Sequence, residues 1–245
     1  SATGVALLAV ESPRVALDLV GLAQGRFGEA VQGFELIGRA GWEFLAETDL
    51  GACPLDPVPD WSVLVELGLP ADLAPAPALE WLFEEGAARG WVRDGVLAAS
   101  QAQGAALWEL RERIPEANRR IGSVSSHDVS LPLSEIPGFL PEAERAVAAL
   151  GPFRVNAFGH LGDGNLHWNV FAQRGVDRRA HDALRGQVKA LVHDMVAARG
   201  GSVAAEHGVG RLKVADLERH GDPVKLAMMR AVKAALDPQG ILNPG

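Results

Sequence analysis

Phe158 to Val170 reads FGHLGDGNLHWNV. Asp163-Gly164 is a strong two-residue hairpin signal, because a type I′ turn needs positive φ at both central positions. A turn there sets Gly162 against Asn165, Leu161 against Leu166, and His160 directly against His167. Opposed residues hold their Cβ atoms about 4.5–5.5 Å apart on one sheet face, close enough for two imidazoles to share a cation. Asn169, two residues beyond His167, joins that face. Downstream, the AEHG segment supplies Glu206 and His207. Two histidines, one carboxylate and a spare histidine describe a catalytic metal site with an open position.

Around this hairpin the second half reads as a helix over 103–114, a strand over 124–133 and a helix over 134–150. A long helix over 177–199 follows, ended by Gly200-Gly201, then a brief strand over 202–205 and helices up to residue 236. The first half alternates in the same way. Strands are expected over 5–10, 31–37, 61–67 and 96–99. Helices follow Ser12-Pro13, an N-cap with proline at the first helical position, and cover 76–89. This rhythm predicts two split β-α-β units sharing one sheet, spanning about residues 1–100 and 101–205, with a helical tail over 209–245.

The chain has 245 residues, 48% of them hydrophobic, enough to bury a large core. No apolar run is long enough to span a bilayer. A single cysteine, Cys53, excludes an internal disulfide framework and fits a reducing compartment. The net charge of −8 argues against a nucleic-acid surface. There is no GxGxxG opening a helix after a strand and no Walker loop. Gly162 and Gly164 are turn glycines rather than a phosphate cradle. Tyrosine is absent, so proton transfer must fall to His, Lys, carboxyl groups or water.

Beside adjacent Glu206, His207 cannot easily reach the same ion, and it is better cast as a general base. Arg111 has Leu107, Trp108, Ile114 and Pro115 as its helical neighbours and therefore requires a buried anion. A substrate carboxylate and a protein carboxylate both satisfy that requirement. Arg113, beside Glu109 and Glu116, reads as a solvated surface pair. His127 alternates with Val129 and Leu131 and reads as a core histidine; Ser126 and Asp128 share the opposite face. His193 reads as solvent-facing. Imidazole and carboxylate ligands suit zinc or another divalent first-row ion. The ligand set also admits a stand-alone metallohydrolase, although the HExxH spacing is absent. A non-catalytic module with a structural metal is admitted too.

GHLGDGNLHWNV, GGSVAAEHGVGRLK, LWELRERI, SHDVSLPLS and ALDPQGILNPG closely resemble the carboxy-terminal half of FAD-linked oxidases. That family includes D-lactate dehydrogenase, the glycolate oxidase flavin subunit and D-2-hydroxyglutarate dehydrogenase. The resemblance implies an α+β fold of duplicated ferredoxin-like units, an antiparallel sheet covered by helices. It implies a substrate domain that caps an FAD held by a separate amino-terminal domain. That domain has no counterpart in these residues, so the chain by itself is expected to lack redox activity. By the same resemblance, His160, His167 and Glu206 hold the metal, zinc being expected, and His207 takes the hydroxyl proton. Arg111 and Asn169 contact the substrate, and Asn243 in the tail stands at the cofactor.

The implied reaction converts a 2-hydroxyacid to a 2-oxoacid with hydride transfer to FAD. The electron acceptor is unspecified, a homodimer is compatible, and a cytoplasmic location, including the inner face of a membrane, is expected. Pro115 and Ser126 stand where enzymes acting on D-2-hydroxyglutarate have a threonine and a lysine. The loss of a hydroxyl and a cation favours a monocarboxylic or otherwise different D-2-hydroxyacid.

Overall fold

A computed structural model describes residues 2–70, 74–206, 208–210 and 213–243. The first half holds strands β1 (Ala2–Val10), β2 (Val31–Gly38), β3 (Trp61–Leu69) and β4 (Val92–Leu97), with helices α1 (Pro13–Phe27), α2 (Arg39–Glu47) and α3 (Pro75–Ala88). The second half begins with α4 (Gln101–Ile121) and continues through β5 (Ser125–Ser130), α5 (Ile136–Ala148), β6 (Phe153–His160), β7 (Asn165–Ala172) and α6 (Arg185–Ala198). Helices α7 (Val214–His220) and α8 (Pro223–Leu236) complete the described chain. The seven strands form one sheet in the order β4-β1-β3-β2-β6-β7-β5, and neighbouring strands are antiparallel.

The order β4-β1-β3-β2 is that of a ferredoxin-like unit. The second half repeats it in mirror order along the sheet. Its fourth strand is reduced to the bridge between Ser202 and Ser130 beyond β5. The expected duplication is therefore present, and β2 and β6 join the two units edge to edge.

Helix α1 starts where the sequence places it, with the Ser12 side chain accepting the Val15 N–H. Its buried stripe of Ala16, Leu19, Val20 and Ala23 follows helical spacing. Helix α4 is capped by Ser100, whose Oγ accepts the Gln103 N–H. Its buried stripe is Gly104, Leu107, Arg111, Ile114 and Ala117. The helix runs seven residues beyond the expected stop at Ile114. Pro115 has no N–H to donate, so only the Arg111 carbonyl loses its helical partner, and the apolar stripe continues across it.

Three further elements differ from expectation. Helix α2 carries buried Trp42, Phe44 and Leu45, yet its N-cap is Gly38, which has no side chain to announce the start, and only the Thr48 hydroxyl, donating to the Phe44 carbonyl at 2.8 Å, marks the end. The segment expected as one helix from 177 begins as a 3-10 turn over Arg178–Leu184 before α6 starts. The fourth strand covers Val92–Leu97 rather than 96–99.

The hairpin itself is shifted. Phe158, not His160, lies opposite His167, and residues 161–164 form a four-residue connection. Leu161 is fully buried and its N–H donates to the Phe34 carbonyl at 2.9 Å, so β2 captures the end of the hairpin. Asp163 accepts the Asn165 N–H on its side chain, and the Gly164 carbonyl accepts from Leu131. A shift of two residues keeps every side chain on its face, so His160 and His167 still share one. They are diagonal rather than opposed neighbours.

Gly164 has φ +81°, and a Cβ there would stand 2.2 Å from the Leu131 carbonyl oxygen. Gly164→Ala is expected to lower the unfolding free energy by about 2 kcal/mol or more in urea titrations. Gly186→Ala, in the first turn of α6 with nothing near the added methyl, should leave stability unchanged or raised. Equal midpoints for the two variants would contradict the turn assignment.

Candidate functional site

Alternation along four neighbouring strands sends Glu35 of β2, Phe158 and His160 of β6, His167 and Asn169 of β7, and Ser126 and Asp128 of β5 to one face. The register makes two cross-strand rows: Glu35 pairs with His160, while Phe158, His167 and Asp128 stand side by side. Helix α4 packs over the same face and lowers Arg111 onto it. The guanidinium lies 4.9 Å from the centre of the Phe158 ring, and Phe158 in turn lies 4.9 Å from the His167 ring.

Glu206 arrives from outside the sheet. The Ser202–Ser130 bridge brings its segment alongside β5, and Asp128 secures it. The Asp128 carbonyl accepts the Ala205 N–H, and Asp128 Oδ2 accepts the Glu206 N–H at 3.1 Å. Glu206 Oε1 then lies 3.2 Å from His160 Nε2. Asp128, His167 and Glu206 each offer a ligand atom, all within 4.8 Å of one another. The donors are imidazole and carboxylate, the chemistry a divalent first-row cation requires. Burial, and then the nearby Arg111 charge, holds the His167 imidazole below its usual pKa, which favours the neutral ring that coordinates metals.

A cavity of about 970 Å³ opens over this cluster. Arg111, Phe158, His160, His167, Asn169 and Glu206 line its floor, while Arg178, Ser123 and Ser126 border it further out. Asn169 is buried, its Oδ1 accepting the His127 N–H at 3.3 Å. Asn243 lies elsewhere, in a groove on α8 beside Met228, Met229 and Leu242. His207 lies outside the described residues.

Glu35 is the functional candidate that pattern reading misses. It is 1% exposed and answers the need of Arg111 for a buried anion. Its Oε2 accepts Arg111 Nε at 2.8 Å and Nη2 at 2.7 Å. Its Oε1 bonds His160 Nδ1. The available signal is a lone carboxylate inside the apolar strand segment FELIG, on the opposite face from Phe34 and Leu36.

The family model for FAD linked oxidases, C-terminal domain, matches residues 1–245. The chain belongs to that family. A mitochondrial D-2-hydroxyglutarate dehydrogenase of Bos taurus is 35% identical over 247 residues, covering 100% of this chain and 44% of that enzyme. The counterpart from Arabidopsis thaliana is 30% identical over 245 residues, covering 100% and 43%. A D-2-hydroxyglutarate dehydrogenase of Stutzerimonas stutzeri is 39% identical over 164 residues, covering 66% and 35%. This FAD linked oxidase domain thus spans less than half the length of those relatives. Its fold is also that of p-cresol methylhydroxylase, with a TM-score of 0.67 at 15% identity over 98% of this chain and 52% of that one.

On the opposite face of the sheet, His127 is buried beside Trp168 and His193, as the strand alternation predicts. His193 is a correction: it is 1% exposed rather than solvent-facing. Helix α7 folds back over α6, and Asp216 accepts from His193 Nδ1 at 2.9 Å. A helical reading of α6 alone cannot see that cover. Burial, with help from the His193, Lys213 and Lys189 charges and against Asp216, pushes the His127 pKa down to about 3. The unfolded chain then binds a proton first. His127 is neutral in both states above about pH 6.5 and destabilises the fold as pH falls from there toward about 3.

Neither ring nitrogen of His127 has a hydrogen-bond partner among the described residues, so an apolar replacement of similar shape costs little. His127→Phe is expected to keep its stability near pH 7.5 and to lose less of it between pH 6.5 and 4 than the parent. Parallel stability profiles would contradict this assignment.

Proposed function

We propose that this chain is the substrate- and metal-binding part of a flavin-dependent D-2-hydroxyacid dehydrogenase, which oxidises a 2-hydroxyacid to a 2-oxoacid. The observation that carries the proposal is one cavity floor holding an imidazole–carboxylate cluster beside a buried arginine. Membership of an FAD linked oxidase family favours this reading over a stand-alone metallohydrolase or a structural metal module. The family name supports FAD as the cofactor, held by a domain of the full-length protein that this chain does not include.

In this reading His160, His167 and Glu206 hold the cation. Among the described residues, the ligand atoms that already lie within 4.8 Å of one another are those of His167, Glu206 and Asp128, whose carboxylate also fixes the Glu206 backbone; His160 joins them through Glu206, 3.2 Å from its Nε2. When bound, the cation would act as a Lewis acid on the 2-hydroxyl, and the flavin would accept the hydride from C2. Arg111 holds the substrate carboxylate through Nη1, which has no hydrogen-bond partner among the described residues. Asn169 orients the substrate from β7. His207, next to Glu206 in the chain, takes the hydroxyl proton. Among the described residues no helix is long and apolar enough to cross a membrane.

Two substrate readings follow from the cavity wall. Pro115 and Ser126 supply no cation for a second carboxylate, which favours a monocarboxylic hydroxyacid. Arg178 at the cavity rim favours a dicarboxylic one, the class on which the D-2-hydroxyglutarate dehydrogenase relatives act by name. One dye-reduction assay on the full-length flavoprotein tests the function and separates the substrates. Chelation should lower hydroxyacid-dependent reduction by at least about 100-fold, with recovery on added zinc. Undiminished turnover after verified metal removal would overturn the reading. Arg178→Ala should lower kcat/KM about 10-fold for D-2-hydroxyglutarate and leave D-lactate unchanged if the dicarboxylic reading holds. An equal effect on both acids would favour the monocarboxylic one.

A further inference from the structure

Glu35 stands between the two groups that the proposed reaction uses to hold its substrate. It comes from the first ferredoxin-like unit, whereas Arg111 and His160 come from the second. Its two oxygens divide the work: Oε2 takes both Nε and Nη2 of Arg111, and Oε1 takes Nδ1 of His160. The carboxylate side chain is 2% exposed and the guanidinium 8%, while the His160 ring is 40% exposed. The imidazole is therefore anchored at its buried nitrogen and open at the other.

We propose that Glu35 is a positioning residue: by occupying His160 Nδ1 it commits Nε2 to the cation, and by gripping Arg111 it fixes the distance between cation and substrate carboxylate. The inference rests on the metal reading above. A ligating histidine that donates its other N–H to a carboxylate has a fixed tautomer, a fixed ring orientation and a more basic ligand nitrogen. Here Nε2 faces Glu206 Oε1 at 3.2 Å, the side from which a shared cation would bind. The grip on Arg111 has a second consequence. With Nε and Nη2 both engaged, the arginine cannot offer that edge as a two-pronged fork. It meets the substrate through Nη1 and the second Nη2 hydrogen, and a carboxylate is held at that end while the cation holds the hydroxyl.

A buried counter-ion for Arg111 would suffice to explain the pair, so the test must separate that role from the effect on His160. Arg111→Met leaves Glu35 on His160. Glu35→Leu/Arg111→Met replaces the whole ion pair with apolar groups, a change that buried pairs often tolerate. Glu35→Gln/Arg111→Met returns a neutral acceptor to the ring. Zinc affinity, measured by chelator competition on the full-length protein, is the readout. Arg111→Met is expected to bind zinc within about threefold of the parent. The Leu/Met variant should bind about 10- to 100-fold more weakly than Arg111→Met, and the Gln/Met variant should recover part of that loss.

Leu/Met and Arg111→Met variants of equal zinc affinity would overturn the positioning role and reduce Glu35 to a counter-ion. If Arg111→Met, which leaves the buried Glu35 without its cation, or either double variant does not fold, Glu35→Asp keeps the charge but withdraws it by one methylene. It should bind zinc at least about fivefold more weakly than the parent, and parental affinity would overturn the proposal. A parent that takes up no zinc would overturn the metal reading itself, whatever the variants do.

Discussion

The seam between β2 and β6 is the constraint on which the rest of the molecule depends. Three residue pairs, Glu35–His160, Leu36–Gly159 and Ile37–Phe158, join two ferredoxin-like units into one sheet. An unpaired edge strand exposes a row of N–H and C=O groups, and each unit covers the other's edge. The seam is short because β6 ends at the hairpin, yet it is extended by the bond from Leu161 to Phe34. On its other side, Gly159 lets β6 lie close to β7: an added Cβ would approach the Asn165 carbonyl oxygen to 2.4 Å. Leu36 and Phe34 face one core, Ile37 and Phe158 the other, so the seam is apolar on both sides except where Glu35 meets His160.

That exception sets the electrostatics of the site. A carboxylate as deeply buried as Glu35 is costly unless it is paired and hydrogen-bonded. Arg111 reaches it only because α4 lays a helical stripe of Leu107, Arg111 and Ile114 against the sheet. The same contacts fix the buried nitrogen of His160. Asp128 does the corresponding work on the other side, tying the Glu206 segment to β5. The ligand cluster is thus held from both flanks by carboxylates on rigid strands rather than on loops, the arrangement that precise positioning requires.

Much of this was legible in the sequence. Strand and helix alternation, the Ser12 cap and the turn glycines are local signals, and local chemistry decides them. The shared face of His160, His167 and Asn169 survives even though the hairpin register is wrong, because a two-residue error preserves side-chain parity. The register itself depended on Leu161 being captured by β2, a contact between distant segments that no turn rule contains. Helix α2 lacked an N-cap side chain, α4 overran Pro115 because its apolar stripe continued, and His193 was buried by α7. Glu35 was missed for the same reason as the register. Its meaning lies in its neighbours across the seam, 76 and 125 residues away along the chain. Arg111 announced that a buried anion existed, and only the fold said which.

The proposed cation sits on the β6–β7 face, between the hairpin histidines and the segment that Asp128 delivers. Anomalous diffraction at the zinc edge, on crystals of the full-length protein grown with zinc, tests it most directly. A single strong peak is expected within coordination distance of His160 Nε2, His167 and Glu206, with His160 Nδ1 still on Glu35. A peak elsewhere, or none at that face in zinc-saturated crystals, would contradict it.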